Sequence, residues 1–260
     1  MDADSIVMLP EQKALIHKLT DLNLDGFSFE LKGQFADPQR FQTMTYEQRL
    51  NRCLDSQIEL ASNNRFRRLL QNSKIGDKIY IKQFVASESR GLTNDTLLKL
   101  QDGDFLEKGL NIIISGPTGT GKTALAKATA VETMRKGNSA MFFKMSDLSC
   151  IIEAKDKFAL SRFVDKLRRI RLLIIDDYGL TKISDAVVAA LMDIADVRYG
   201  IGSTIITSQL KKKGLMSVID ESPIRDALAD RLFRDCDWEI TLKGASWRGN
   251  NEEIKGEKIK

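Results

Sequence analysis

Residues 111–123 read Asn-Ile-Ile-Ile-Ser-Gly-Pro-Thr-Gly-Thr-Gly-Lys-Thr. Asn111 to Ser115 is a short apolar run without polar alternation, the pattern of a strand covered on both faces. Gly116, Pro117, Thr118, Gly119, Thr120, Gly121, Lys122 and Thr123 then satisfy G-x-x-x-x-G-K-[ST]. Glycines let the backbone wrap so that successive N–H groups face phosphate oxygens. The helix that follows presents its positive end to the same anion. In such a loop Lys122 reaches the β and γ phosphates, and the Thr123 hydroxyl serves as a ligand for Mg²⁺. A strand before the loop and a helix after it are the required context, so these residues predict a site for ATP and Mg²⁺.

Downstream the pattern alternates. A helix is expected from about Gly121 to Arg135, a second apolar run at Ala140 to Met145, and helical text from Ser146 to Ile170. Leu172 to Ile175, Thr204 to Thr207 and Trp238 to Leu242 are further runs. Strands alternating with helices predict an α/β fold with a mainly parallel sheet. The third run ends in two carboxylates. Asp176, at the strand tip, is expected to hold the metal shell, and Asp177 to orient and deprotonate the attacking water. After the fourth run, Ser208 or Gln209 is either a sensor of the γ phosphate or the ordinary polarity of a turn. Arg231 and Arg234, three apart in the helical text after Pro223, share one expected face. They serve either a neighbouring subunit's γ phosphate or plain pairing with Asp226, Asp230 and Asp235.

Upstream, no strand pattern is found. Ala14, Leu15, Leu19 and Leu22 follow Pro10 at helical spacing. Thr45 and Gln48 then form a capping-box pattern ahead of Leu50, Leu54, Ile58, Ala61, Leu69 and Leu70. The expected layout is a helical domain over 1–80, an ATPase domain over 81–250 and a frayed tail over 251–260. The net charge of +4 conceals a gradient. Residues 1–39 carry three basic and seven acidic side chains, whereas 40–90 carry ten and five. A single histidine, His17, excludes an HExxH zinc site and leaves little room for a Ser-His-Asp triad. Cys53, Cys150 and Cys236 are odd in number and far apart, which fits a reducing cytoplasm. Neither a secretory signal nor a membrane-spanning run is read.

The motifs taken together resemble the IstB group of AAA+ ATPases, relatives of the DnaC helicase loader. The likeness is carried by the run from Leu100 to Asn111 leading into the phosphate loop, by Leu173 to Leu180, and by Ser203 to Leu210. Asp230-Arg231-Leu232 and the closing Leu242 to Arg248 complete it. It covers the ATPase part well and the helical segment more loosely. The resemblance implies an AAA+ fold of the P-loop NTPase class and assembly as an ATP-dependent homo-oligomer on duplex DNA. It also implies help to an IstA-type transposase in choosing its insertion target, in the cytoplasm and on the nucleoid when DNA-bound. It makes Arg231 a finger acting in trans and Arg248 a sensor of ATP in its own subunit, with Arg90-Gly91-Leu92 leading into the adenine pocket. Trp247 departs from the smaller apolar residue usual beside that arginine. The resemblance also turns two basic clusters, Arg65/Arg67/Arg68 and Lys211/Lys212/Lys213, into candidate DNA contacts with little sequence preference. A helicase loader, a nucleotide-gated DNA scaffold with negligible turnover, and a small-molecule P-loop kinase are the competing readings.

Overall fold

The computed structural model describes residues 8–221, 223–234 and 238–244. Arg248, Trp247 and the tail 251–260 lie outside the described residues. The chain divides into two compact units, Met1–Arg68 and Leu69–Lys260.

The first unit holds α1 (Pro10–Asp21), α2 (Asp25–Ala36) and most of α3 (Tyr46–Asn72). The capping box at the start of α3 forms as expected. Gln48 N–H donates to Thr45 Oγ1 (3.3 Å), and Thr45 N–H donates to Gln48 Oε1 (3.0 Å). The expected apolar face, however, is not the one that packs. Leu50, Leu54 and Ile58 are 37%, 45% and 66% exposed, while Cys53 is buried. The reason lies in how closely α2 approaches α3. A Cβ added at Gly26 would stand 2.6 Å from Ser56 O, so the first turn of α2 touches the backbone of α3 at that point. At that spacing polar groups fill the contact. Gln57 Oε1 accepts from the Gly26 and Phe27 N–H groups (2.8 and 3.2 Å), and Ser56 Oγ donates to Gly26 O (2.8 Å).

The second unit is built on a five-stranded sheet: β1 (Ile112–Ser115), β2 (Ala140–Lys144), β3 (Leu172–Tyr178), β4 (Ser203–Ser208) and β5 (Trp238–Thr241). Its order is β2-β3-β4-β1-β5 and every pairing is parallel. The helices are α4 (Asn94–Asp102), α5 (Asp104–Glu107), α6 (Lys122–Arg135), α7 (Met145–Glu153), α8 (Lys157–Arg168), α9 (Asp185–Arg198) and α10 (Pro223–Ala229). Ile112 to Ile114, Leu172 to Ile175 and Ile205 to Ile206 are at most 1% exposed. Burial on both faces is why these strands read as continuous apolar runs. The text from Ser146 to Ile170 is two helices rather than one. Asp156 caps the second by accepting from Ala159 N–H (2.8 Å), a local bond that competes with helix continuation. The larger unit also begins ahead of residue 80, where the helical domain was expected to end. Ser73 O accepts from Phe142 N–H (2.8 Å) on the edge strand β2, and Ile75 is 1% exposed, so the chain leaving α3 is part of the sheet's cover.

Candidate nucleotide site

In register, Ile114 lies beside Thr207, and Ser115 beside both Ser208 and Thr241. The loops leaving β1, β3 and β4 therefore emerge side by side at the carboxyl edge of the sheet, where open α/β folds place their ligands. The loop after β1 wraps through three glycines of positive φ: Gly116 (146°), Gly119 (83°) and Gly121 (97°). At Gly116 there is also no room, since a Cβ would fall 2.3 Å from Leu242 O. Gly116→Ala should displace the loop at a cost of about 1–3 kcal/mol. The expected result is nucleotide affinity about 5- to 150-fold weaker in a fluorescence titration. Unchanged affinity would mean the loop is not where the nucleotide binds.

Lys122 opens α6 and is only 6% exposed. Its ammonium donates to Gly116 O (2.8 Å) and Pro117 O (2.9 Å). Thr120 Oγ1 also donates to Pro117 O (2.9 Å), which stiffens the turn. Thr123 Oγ1 donates to both carboxylate oxygens of Asp176, at 2.8 and 3.1 Å. Asp176 is 1% exposed, and burial raises its pKa. Hydroxyls of Thr207 and Thr123 oppose that rise, the Asp177 charge adds to it, and Lys127 opposes it. Asp177 differs sharply from its neighbour. It stands half-buried in the left-handed region (φ 58°) and lines a cleft of 460 Å³ together with Lys122, Thr123 and Gln209.

The donor set suits Mg²⁺. A threonine hydroxyl and a carboxylate already in contact are hard oxygen ligands, and Mg²⁺ characteristically takes its remaining positions from phosphate and water. Among the described residues no three His, Cys, Asp or Glu side chains converge to make a self-sufficient cage.

The two residues expected to sense a γ phosphate are placed differently. Ser208 Oγ donates to Tyr178 O (2.6 Å) and accepts from Leu210 N–H (3.0 Å), so its hydroxyl is spent on the backbone. Gln209 is the one that lines the cleft. Arg231 is not brought there. It lies by the amino-terminal edge of the sheet, where with Asn111, Arg198 and Gly202 it lines a separate cavity of 280 Å³. Its Nε pairs with the Asp196 carboxylate. Asp230–Arg234 is a π-helical turn, and the Arg234 side chain lies outside what the structure describes. The Arg90-Gly91-Leu92 turn packs on the end of β5, with Lys243 N–H donating to Arg90 O (2.9 Å), and it does not line the cleft.

Two residues, one lining the cleft and one buried behind it, escaped the sequence reading. Lys127, one turn and a half along α6, lines the cleft and acts on Asp176. Thr207 contacts Asp176 from β4. Of the basic clusters, Arg65, Arg67 and Arg68 are exposed, with Arg65 and Arg68 on one face of α3 and Arg67 turned away from Arg65. Lys211 and Lys213 are exposed, and Lys212 is half-buried.

Comparison with known proteins agrees with this geometry. The sequence model of the family described as IstB-like ATP binding protein matches residues 17–254. The chain belongs to this family. Among IstB-like relatives, an insertion sequence ATP-binding protein of Sinorhizobium fredii is 29% identical over 234 residues, covering 90% of this chain and 94% of its own. A second from the same organism is 32% identical over 193 residues, covering 74% and 76%. The structure of AMPPCP-bound DnaA from Aquifex aeolicus superimposes with a TM-score of 0.53 at 22% identity, covering 66% of this chain and 52% of that one. That likeness is one of fold: a parallel sheet flanked by helices, with the phosphate loop after its first strand. In this IstB-like chain no helix among the described residues is long and apolar enough to cross a membrane.

Proposed function

We propose that this IstB-like protein hydrolyses ATP, assembles with ATP as a homo-oligomer on duplex DNA, and assists an IstA-type transposase in target selection. The observation that carries the reading is the convergence of Lys122, Thr123, Asp177 and Gln209 on one cleft, with Asp176 hydrogen-bonded behind them. The two relatives above are named as insertion sequence proteins, which directs the ATPase toward transposition.

In this mechanism Lys122 leaves the carbonyls of Gly116 and Pro117 to meet the β and γ phosphates. Thr123 and Asp176 would hold Mg²⁺, which when bound neutralises charge developing on the phosphates. Asp177 orients a water for in-line attack and takes its proton, and Gln209 reads the γ phosphate. Arg231, remote from its own cleft and exposed enough to meet a neighbour, acts in trans; Arg248 is assigned to the chain's own nucleotide by resemblance. Arg65, Arg67, Arg68 and Lys211 to Lys213 contact DNA phosphates without reading bases, in the cytoplasm and on the nucleoid.

The test is the size of the purified protein with and without duplex DNA, in an ATP analogue and in ADP, at two salt concentrations. Larger assemblies only with DNA and the ATP analogue, weakening steeply with salt, are expected. An assembly state indifferent to both ligands would sink the reading.

A further inference from the structure

We propose that Thr207 is a positioning residue for both acidic side chains of the cleft, setting the orientation of Asp176 and the backbone course of Asp177 with one hydroxyl. The inference rests on the reading of the cleft as a site for ATP and Mg²⁺.

The register of the sheet makes the case first. Ile175 pairs with Ile206, and Tyr178 pairs with Ser208, with an irregularity between them. Two residues of β3, Asp176 and Asp177, therefore oppose the single residue Thr207 of β4. This is a β-bulge, a device that re-aims side chains and leaves the extra residue unpaired in the ladder. Thr207 bonds to both residues of the bulge. Its Oγ1 donates to Asp176 Oδ1 and accepts from Asp177 N–H at 3.0 Å. One hydroxyl can do this because it has one proton to give and two lone pairs to receive.

The surroundings make those bonds matter. Thr207 is 0% exposed and sits in a central strand paired on both sides, with β1 and with β3. It cannot move as a surface side chain does. Asp177 meanwhile occupies a left-handed conformation that an L-residue keeps only when its neighbours hold it there. The bond from Asp177 N–H to Thr207 is the hold that the structure displays. On the Asp176 side, the carboxylate has two hydroxyl donors, Thr123 and Thr207. When Thr123 turns to its role at the metal, Thr207 is the donor that remains to keep the carboxylate aimed. Hydrogen-bond partners of metal-binding carboxylates act in this way, and losing one typically costs about 10- to 100-fold in metal affinity or activity.

The experiment uses the full chain with Thr207→Val, Thr207→Ala and Thr207→Ser. A fluorescent ATP analogue is titrated with Mg²⁺ and with EDTA, and ATP turnover is measured alongside. Valine keeps the shape but neither bond, alanine loses shape and bonds together, and serine keeps both bonds. We expect the valine and alanine variants to bind nucleotide in EDTA as the unaltered chain does, which also reports that they fold. In Mg²⁺ they should lose about 10- to 100-fold of the metal-dependent affinity, with kcat falling more than KM rises. Serine should restore both. If valine and alanine retain Mg²⁺-dependent affinity, or serine is as damaged as valine, the hydroxyl is not the positioning group and the proposal fails. If the unaltered chain itself shows no Mg²⁺-dependent affinity for ATP, the reading of the cleft fails instead, and Thr207 with it.

Discussion

Asp177→Asn is expected to lower ATP turnover by about 10²- to 10⁴-fold while leaving nucleotide affinity close to that of the unaltered chain. The argument rests on the different surroundings of two adjacent carboxylates. Asp176 is 1% exposed, takes hydroxyl donors from Thr123 and Thr207, and faces the loop. Asp177 is thrown forward by the bulge, is half-buried, and lines the cleft with Gln209. Environments that divide a pair of carboxylates in this way divide their roles. In the proposed mechanism the buried one is the metal ligand, and the one facing the cleft is the one that reaches a water. Asparagine keeps the size and can still hold a water, but it cannot accept a proton. Lys122→Ala should behave differently and lose affinity as well, because its ammonium meets the phosphates in the ground state. The measurement is phosphate release beside a fluorescence titration for both variants. Turnover that survives Asp177→Asn would move the base elsewhere. It would also favour a nucleotide-gated scaffold over an ATPase.

The parts of this site that were legible in the sequence are those whose chemistry forces local spacing. The phosphate loop needs its glycines, lysine and threonine within one turn, so Gly116 to Thr123 could be read directly. Asp176 and Asp177 were readable because two acids follow directly on a doubly buried apolar run, although β3 itself continues through them to Tyr178. The sheet was readable for the same reason, since strands covered on both faces leave continuous apolar runs. What escaped depends on register between strands. Nothing in Thr204 to Thr207 says that a bulge across the sheet sets one threonine against two aspartates. Gln209 and Ser208 were equal candidates until the backbone bonds of Ser208 excluded it. The helical unit was misread on its packing face because Gly26 lets α2 approach α3 closely, and that contact selects small and polar side chains over leucines. Periodicity identified the helices there but not what they bury.

Arg198→Met should destabilise the larger unit by about 3–5 kcal/mol, the largest stability effect expected of any single change here. Arg198 is 2% exposed and has no carboxylate partner among the described residues. Its guanidinium instead donates to Leu167 O (2.7 Å), Ile170 O (2.6 Å), Ser203 O (2.6 Å) and Thr204 Oγ1 (3.4 Å). Burial first, and then the Arg171 charge, lower its pKa to about 10, which leaves it protonated at neutral pH. One cation thus ties the carboxyl end of α8 to the start of β4. Methionine would fill much of the volume but take the donor from four acceptors at about 1–3 kcal/mol each, a cost partly offset by the Ile170 N–H bond that Leu167 O keeps and by water from the adjoining cavity. For a unit of this size the loss corresponds to a melting temperature lower by roughly 6–20 °C. Arg198→Lys should recover only part of it, because an ammonium is a point donor and cannot span acceptors fixed around a planar fork. Turnover per folded molecule should hardly change. On β4 Arg198 reaches only Ser203 and Thr204, at one end of the strand, whereas Thr207 and Gln209 stand at the other, by the cleft. A methionine variant that melts normally would show that water replaces the guanidinium at no cost. One that melts normally but turns over slowly would show that the two ends of β4 are coupled.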